Sequence, residues 1–219
     1  MVLARSEGAF RTLARTIRNA KRERKAFVFL VAFFFYIDGV YTIIEMATAY
    51  GQSMGLDTTM LLVALLVTQV VAFPFTIAFG RMSARFDTSR LIAVCIVAYM
   101  FITVVAFFMT SITQFFALAV MVGMFQGGIQ ALSRSHFSRI IPPERAGEFF
   151  GLMDIFGKGA SFTGTLVVSA VSQLTGQTSL GILSLVALFV IGLALLVVSS
   201  RTPSDRDHSD TASTEAQSA

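Results

Sequence analysis

Charge is what this sequence has least of. Only 14% of its 219 residues are Asp, Glu, Lys or Arg, against roughly 25% in an ordinary soluble domain. A chain so poor in charge, 55% hydrophobic and with a mean hydropathy of +0.73, cannot clothe a single soluble globule. The same figures exclude a disordered chain. Cysteine is nearly absent too: with Cys95 alone, no disulfide can form within the chain, which excludes a disulfide-stapled secreted scaffold. Cys95 lies in the apolar run LIAVCIVAYM and reads as a small buried hydrophobe. Histidine is limited to His136, alone in an expected cytoplasmic loop, and His208, in a polar tail. There is no His-Glu-x-x-His, no Cys or His pair at metal-ligand spacing and no Gly-rich phosphate loop. No metal or other cofactor is implied. No serine has an identifiable His or Asp arrangement, so an enzyme is not expected.

What the sequence does have is apolar and comes in long runs. Six segments, 26–50, 58–79, 90–109, 113–131, 149–172 and 179–200, each hold about 19–25 residues, and about 20 suffice to cross a 30 Å hydrocarbon core. The alternating ten-residue segments of a membrane β-barrel are missing. The first run is too long for the apolar part of a signal peptide, so it reads as a retained helix. The expected fold is an all-α membrane protein with six transmembrane helices over residues 26–200. Flanking it are a basic cytoplasmic or interfacial segment, 1–25, and a polar tail, 201–219, expected to be disordered in the cytoplasm.

The net charge of +4 and pI near 9.6 follow from where the cations sit, not from nucleic-acid binding. Eight Lys and Arg residues precede the first run, three lie at the 2–3 connection, three at the 4–5 connection and two in the tail. The opposite connections, 51–57, 110–112 and 173–178, hold none. By the positive-inside rule the basic face is cytoplasmic, both termini lie there, and the protein is a multi-pass protein of the cell membrane. Phe10, Leu13, Ala14 and Ile17 recur at helical spacing among Arg11, Arg15, Arg18 and Arg22. That pattern suits a helix lying on the membrane surface, or equally a solvated basic arm.

Ionisable groups inside the runs are costly, roughly 2.5–3.5 kcal/mol each at a helix centre, so they mark function. Asp38 sits at the middle of the first run and Glu45 follows seven residues later on the same stripe. Leaving water favours a neutral, protonated acid, so such a stripe points to proton or cation handling; the alternative is a structural ion pair between Asp38 and Lys158. The fifth run carries Asp154 and Lys158 at i, i+4, in the order that suits a pair along one helix. Lys158 could instead exchange partners between Asp154 and Asp38, with Gly157 and Gly159 leaving room for it. In the fourth run, Gly123 and Gly127 form a small-xxx-small seam. Gln126 and Gln130, also i, i+4, either face a polar cavity or help glue helices together. In the second run Pro74 reads as a kink and Gln69 as an interhelical hydrogen bonder.

The 2–3 connection, Gly80-Arg81-Met82-Ser83-Ala84-Arg85-Phe86-Asp87-Thr88-Ser89-Arg90, resembles the loop signature of the major facilitator superfamily, G-x-x-x-D-R-x-G-R-R. Gly80, Arg85 and Arg90 fit it, with Arg81 beside them. Ala84 stands where the signature has Asp, and Asp87 where it has its second Gly. Three further segments are more specific: Tyr36-Ile37-Asp38-Gly39-Val40, Gln126 through Ser135 (QGGIQALSRS) and Glu148 through Lys158 (EFFGLMDIFGK). They resemble the C-terminal half of the vacuole-effluxer-like branch of that superfamily, over about residues 10–200. The resemblance implies helices seven to twelve of a twelve-helix transporter, itself an inverted 3+3 repeat, with residues 80–90 as a gating loop. On this basis the expected function is a half-size secondary active transporter (a permease or effluxer) for a small polar solute such as an amino acid. Asp38, Glu45, Gln126, Gln130, Asp154 and Lys158 would handle solute and protons, with Glu45 resting on the physical argument alone. The expected partners are the lipid bilayer, the solute and a second six-helix half, either a second copy or a separate N-terminal half. The competing expectation is a non-transporting membrane subunit, or a truncated half, that only binds a partner half.

Overall fold

The computed structural model describes residues 23–202 apart from Met54. Among them are six long helices and no strand: α1 (Arg24–Ser53), α2 (Thr58–Met82), α3 (Thr88–Phe107), α4 (Ile112–Ile140), α5 (Ala146–Thr175) and α6 (Thr178–Arg201). A single 3-10 turn, Pro143–Arg145, joins α4 to α5. The expectations for the basic N-terminal segment (a helix on the membrane surface or a solvated arm) and for the polar tail concern residues 1–22 and 203–219, which lie outside the described residues.

Local chemistry sets most boundaries. Asp57 caps α2 by accepting the Met60 amide at 2.8 Å, and Asp87 caps α3 through Ser89 at 2.9 Å. Ser111 and Gln114 close a reciprocal capping box at the start of α4. Gly176, at φ +70°, ends α5 in the left-handed region that a residue with a β-carbon resists. The end of α4 corrects the sequence expectation. Hydropathy falls after Ala131, but the helix runs on to Ile140 and stops only where Ile141, extended at ψ 152°, precedes Pro142. His136 is therefore helical, its ring 4.9 Å from that of Phe29, and Arg134 and Arg139 also stand on the helix instead of in a loop.

Five helices, α1–α4 and α6, are long and apolar enough to cross a membrane. The sixth long helix, α5, is the run in which the sequence already showed an acid and a lysine. At 30 residues α5 has the length, but Glu148, Asp154, Lys158 and a run of Gly, Ser and Thr lower its hydropathy. It still packs into the bundle, against α1 and α6. The protein is an all-α, multi-pass membrane protein.

The packing follows an inverted 3+3 repeat. α2 lies along α4 as α5 lies along α1, α4 packs on α3 as α1 packs on α6, and α3 packs on α6. Between α2 and α4 the seam is made of glycine: a β-carbon at Gly123 would meet the Thr68 carbonyl, and one at Gly127 the Thr76 hydroxyl. In lipid, where apolar burial supplies little drive between helices, such close contact holds them together. The small-xxx-small spacing is therefore packing glue. Gln69 does not bond between helices as expected; it is exposed. One residue back, and so on another face of α2, Thr68 donates to the carbonyls of Ala64 (2.9 Å) and Ala119 (3.2 Å). α2 continues unbroken through Pro74, and Cys95 is fully buried, as expected. We expect Gly127→Leu to lower stability by about 3 kcal/mol through overpacking against Thr76. Gly80→Ala, which meets nothing within 4 Å, should leave it nearly unchanged. Unfolding curves of the purified protein in mixed micelles check both.

Candidate solute groove

Asp38 is fully buried where α1 crosses α5. Its Oδ1 accepts the backbone N–H of Gly164 at 2.8 Å and the Thr42 hydroxyl at 3.4 Å. This contact exists because residue 164 has no side chain: a β-carbon there would collide with the Thr42 hydroxyl and the Asp38 carboxylate. Oδ2 is equally buried and, among the described residues, has no partner. The anticipated Asp38–Lys158 pair is absent. Among the described residues no cation pairs with the carboxylate, which is seated against the Gly164 amide and the Thr42 hydroxyl.

One layer outward, α1, α4 and α5 enclose an open polar groove of about 390 Å³. Tyr41 and Glu45 come from α1, Arg134 from α4, and Asp154, Lys158 and Ser161 from α5. The i, i+4 pair expected along α5 is not formed. Asp154 instead takes Arg134 from the neighbouring helix, Nη2 to Oδ1 at 2.8 Å, with the two side chains 60% and 50% exposed. An ion pair so open to solvent is worth only about 0–1 kcal/mol, so a charged solute could take over either partner at little cost. Lys158 is exposed and makes no ion pair among the described residues. Glu45 is also exposed, reached by the Thr165 hydroxyl at 3.5 Å, while Thr165 also donates to the Ser161 carbonyl at 2.8 Å.

The groove thus gathers three of the residues expected from sequence: Glu45, Asp154 and Lys158. Asp38 lies behind it. Gln126 and Gln130 are half-buried on α4 and do not line it. They share a face with Arg134 at successive i, i+4 steps, and the Gln126 Oε1 is buried without a partner among the described residues. Gly80, Arg81, Arg85 and Arg90 are exposed, at the end of α2, in the connection that follows and at the start of α3, and they do not line the groove. Among the described residues these arginines enter no ion pair.

Arg134, Tyr41, Ser161, Thr165 and Gly164 escaped the sequence reading. Arg134 was legible in retrospect, as the next i+4 step after Gln126 and Gln130; Gly164 carried no signal of its own. Below the groove, Tyr36 and Ser133 share a 2.7 Å hydrogen bond. Tyr36 is the donor, because the Ser133 proton goes to the Ile129 carbonyl at 2.6 Å. At the start of α5, Arg145 pairs with Glu148 at 3.0 Å and lies 5.4 Å from the Phe149 ring centroid.

A family model described as "Vacuole effluxer Atg22 like" matches residues 6–209. The chain belongs to that family. This places it in the Atg22-like branch of the major facilitator superfamily, in accord with the inverted repeat. Among similar proteins, a Bacillus subtilis (strain 168) protein named "Uncharacterized MFS-type transporter YxiO" is 47% identical over 188 residues, 86% of this chain and 44% of that protein. "Autophagy-related protein 22-2" of Aspergillus niger is 24% identical over 204 residues, covering 86% of this chain and 34% of its own length. "Autophagy-related protein 22" of Cryptococcus neoformans is 26% identical over 187 residues, covering 78% and 33%. This Atg22-like chain therefore spans between a third and a half of the length of these relatives.

Proposed function

We propose that the chain is one six-helix half of a secondary active transporter, and that the α1–α4–α5 groove is its wall of a shared solute path. In this reading residues 26–200 form the transmembrane domain, between a basic segment, 1–25, and a polar tail, 201–219, both cytoplasmic. The membrane is the cell membrane, and the groove faces a second six-helix half, a further copy or a separate chain. The cargo is a small polar solute such as an amino acid, and Asp38 links its movement to protons. The observation that carries this reading is the meeting of Arg134, Asp154, Glu45 and an unpaired Lys158 in one open groove. Charges placed in lipid are expensive, and charges facing a wet path are not.

Counterflow of a labelled amino-acid mixture into proteoliposomes of the full chain, with its partner half where that is a separate chain, tests it. Lys158→Met should cut the initial rate at least about tenfold, a loss of about 1.4 kcal/mol of solute or transition-state binding, while leaving helicity unchanged. An unaltered rate would remove Lys158 from the path. A second reading, a subunit that only binds a partner half, is favoured by Gly147, Gly151 and Gly159: on α5 their missing β-carbons face open space, room for another helix to approach closely. Co-purification of a second six-helix protein, with no counterflow by either alone or both together, would favour it.

A further inference from the structure

The inverted repeat is broken in one place. α5 packs along α6, yet its counterpart α2 scarcely touches α3, although a short connection joins them. Where that packing is missing there is a crevice of about 90 Å³, walled by α1 to α4 and a residue of α6. It lies at the bundle end that carries the cation-free connections, since α1 contributes residues near its C-terminus and α2 residues near its N-terminus. The wall is almost wholly apolar, with Ala47, Leu65, Ala106, Phe115 and Leu118 among its members. Its two buried threonines have already placed their protons: Thr68 on the Ala64 and Ala119 carbonyls, Thr103 on the Tyr99 carbonyl at 2.8 Å. The space far exceeds the roughly 10–15 Å³ that admits a water, but a water needs two or more polar partners. A polar solute is refused for the same reason.

The mouth opens sideways. Leu65 belongs to the wall and is still 41% exposed, and beside it Leu62, Leu66 and Val70 line the outer face of α2. In a bilayer that face meets hydrocarbon, so the crevice is continuous with lipid and closed to polar guests. We propose that it holds a phospholipid acyl chain from the leaflet opposite the basic face, filling the gap that α2 and α3 leave between them. This is independent of what the polar groove transports.

The chain contains no tryptophan, so an introduced one is a clean reporter. Three full-length variants go into nanodiscs of phosphatidylcholine, either plain or brominated along its acyl chains: Phe115→Trp in the crevice wall, Phe101→Trp on the lipid-facing surface and Phe137→Trp in the core. These positions are 7%, 58% and 0% exposed. Phe115→Trp should be quenched about as strongly as Phe101→Trp despite its burial, while Phe137→Trp is spared. Adding Ala106→Phe, which fills the crevice, should bring Phe115→Trp down to the core level. Should Phe137→Trp fail to fold, the Phe115→Trp pair with and without Ala106→Phe still decides. Quenching of Phe115→Trp no greater than in the core, or unmoved by Ala106→Phe, would overturn the proposal. So would quenching that disappears only when two chains share a disc, because a second copy would then be the occupant.

Discussion

Gly164→Val is expected to leave little or no folded protein, a loss above about 3 kcal/mol. Residue 164 is where α5 touches α1 most closely, and the valine β-carbon would need the space held by the Thr42 hydroxyl and the Asp38 carboxylate. Neither neighbour yields easily. Asp38 is fully buried and bonded to the residue-164 amide itself, so moving it breaks that bond and leaves the buried carboxylate with only the long 3.4 Å contact from the Thr42 hydroxyl. Overpacking alone costs about 1–3 kcal/mol, and a poorly paired buried charge adds several more. The control lies on the same helix: a β-carbon at Gly159 meets nothing within 4 Å, so Gly159→Val should stay within about 0.5 kcal/mol of the parent. Unfolding in mixed micelles measures both. Thr42→Ala should restore part of what Gly164→Ala loses, a coupling that a double-mutant cycle reads directly. Equal losses at 159 and 164 would mean that helix propensity, and not the crossing, sets the cost.

Fold and site were legible in the sequence to different depths, for physical reasons. A lipid-spanning helix announces itself through length and hydropathy, because bilayer thickness and the cost of bare backbone leave few alternatives. Hence the spans, their number and the family could be read. Hydropathy reports only where lipid ends, however, and α4 outlasts its lipid-facing part by about two turns. Arg134 therefore looked like one more cation of the cytoplasmic face until the helix carried it into the groove. The same loss of rotational detail exchanged Gln69 for Thr68. A sequence gives the depth of a polar residue but not the neighbour that covers it. Asp38 and Glu45 share a stripe on α1, yet α5 covers one and leaves the other open, and that difference depends on Gly164, 126 positions away. The partner of Asp154 was hidden for the same reason, since a local i, i+4 rule cannot weigh a helix that arrives from elsewhere in the chain.

Asp38→Asn and Asp38→Leu should separate the two roles given to this residue. An asparagine Oδ1 can accept the Gly164 amide as the carboxylate does, so α1 and α5 stay joined and stability changes by about 1 kcal/mol, the worth of a typical buried hydrogen bond. What asparagine cannot do is take up and release a proton. A gradient of about one pH unit is worth about 1.4 kcal/mol per proton, enough for roughly tenfold accumulation of a solute that moves with it. Proteoliposomes bearing Asp38→Asn should lose that accumulation entirely and keep exchange of labelled for unlabelled solute, which requires no net proton movement. Asp38→Leu removes the acceptor as well and leaves the Gly164 amide facing a methyl group, so stability and both transport modes should fall together. The partnerless Oδ2 is the structural basis for expecting the split. One carboxylate oxygen is committed to holding two helices together, and the other is left without a donor or cation to keep it charged. Gradient-driven accumulation that survives in Asp38→Asn would reduce Asp38 to a clasp between α1 and α5, and the proton would then have to travel by the exposed acids, Glu45 and Asp154.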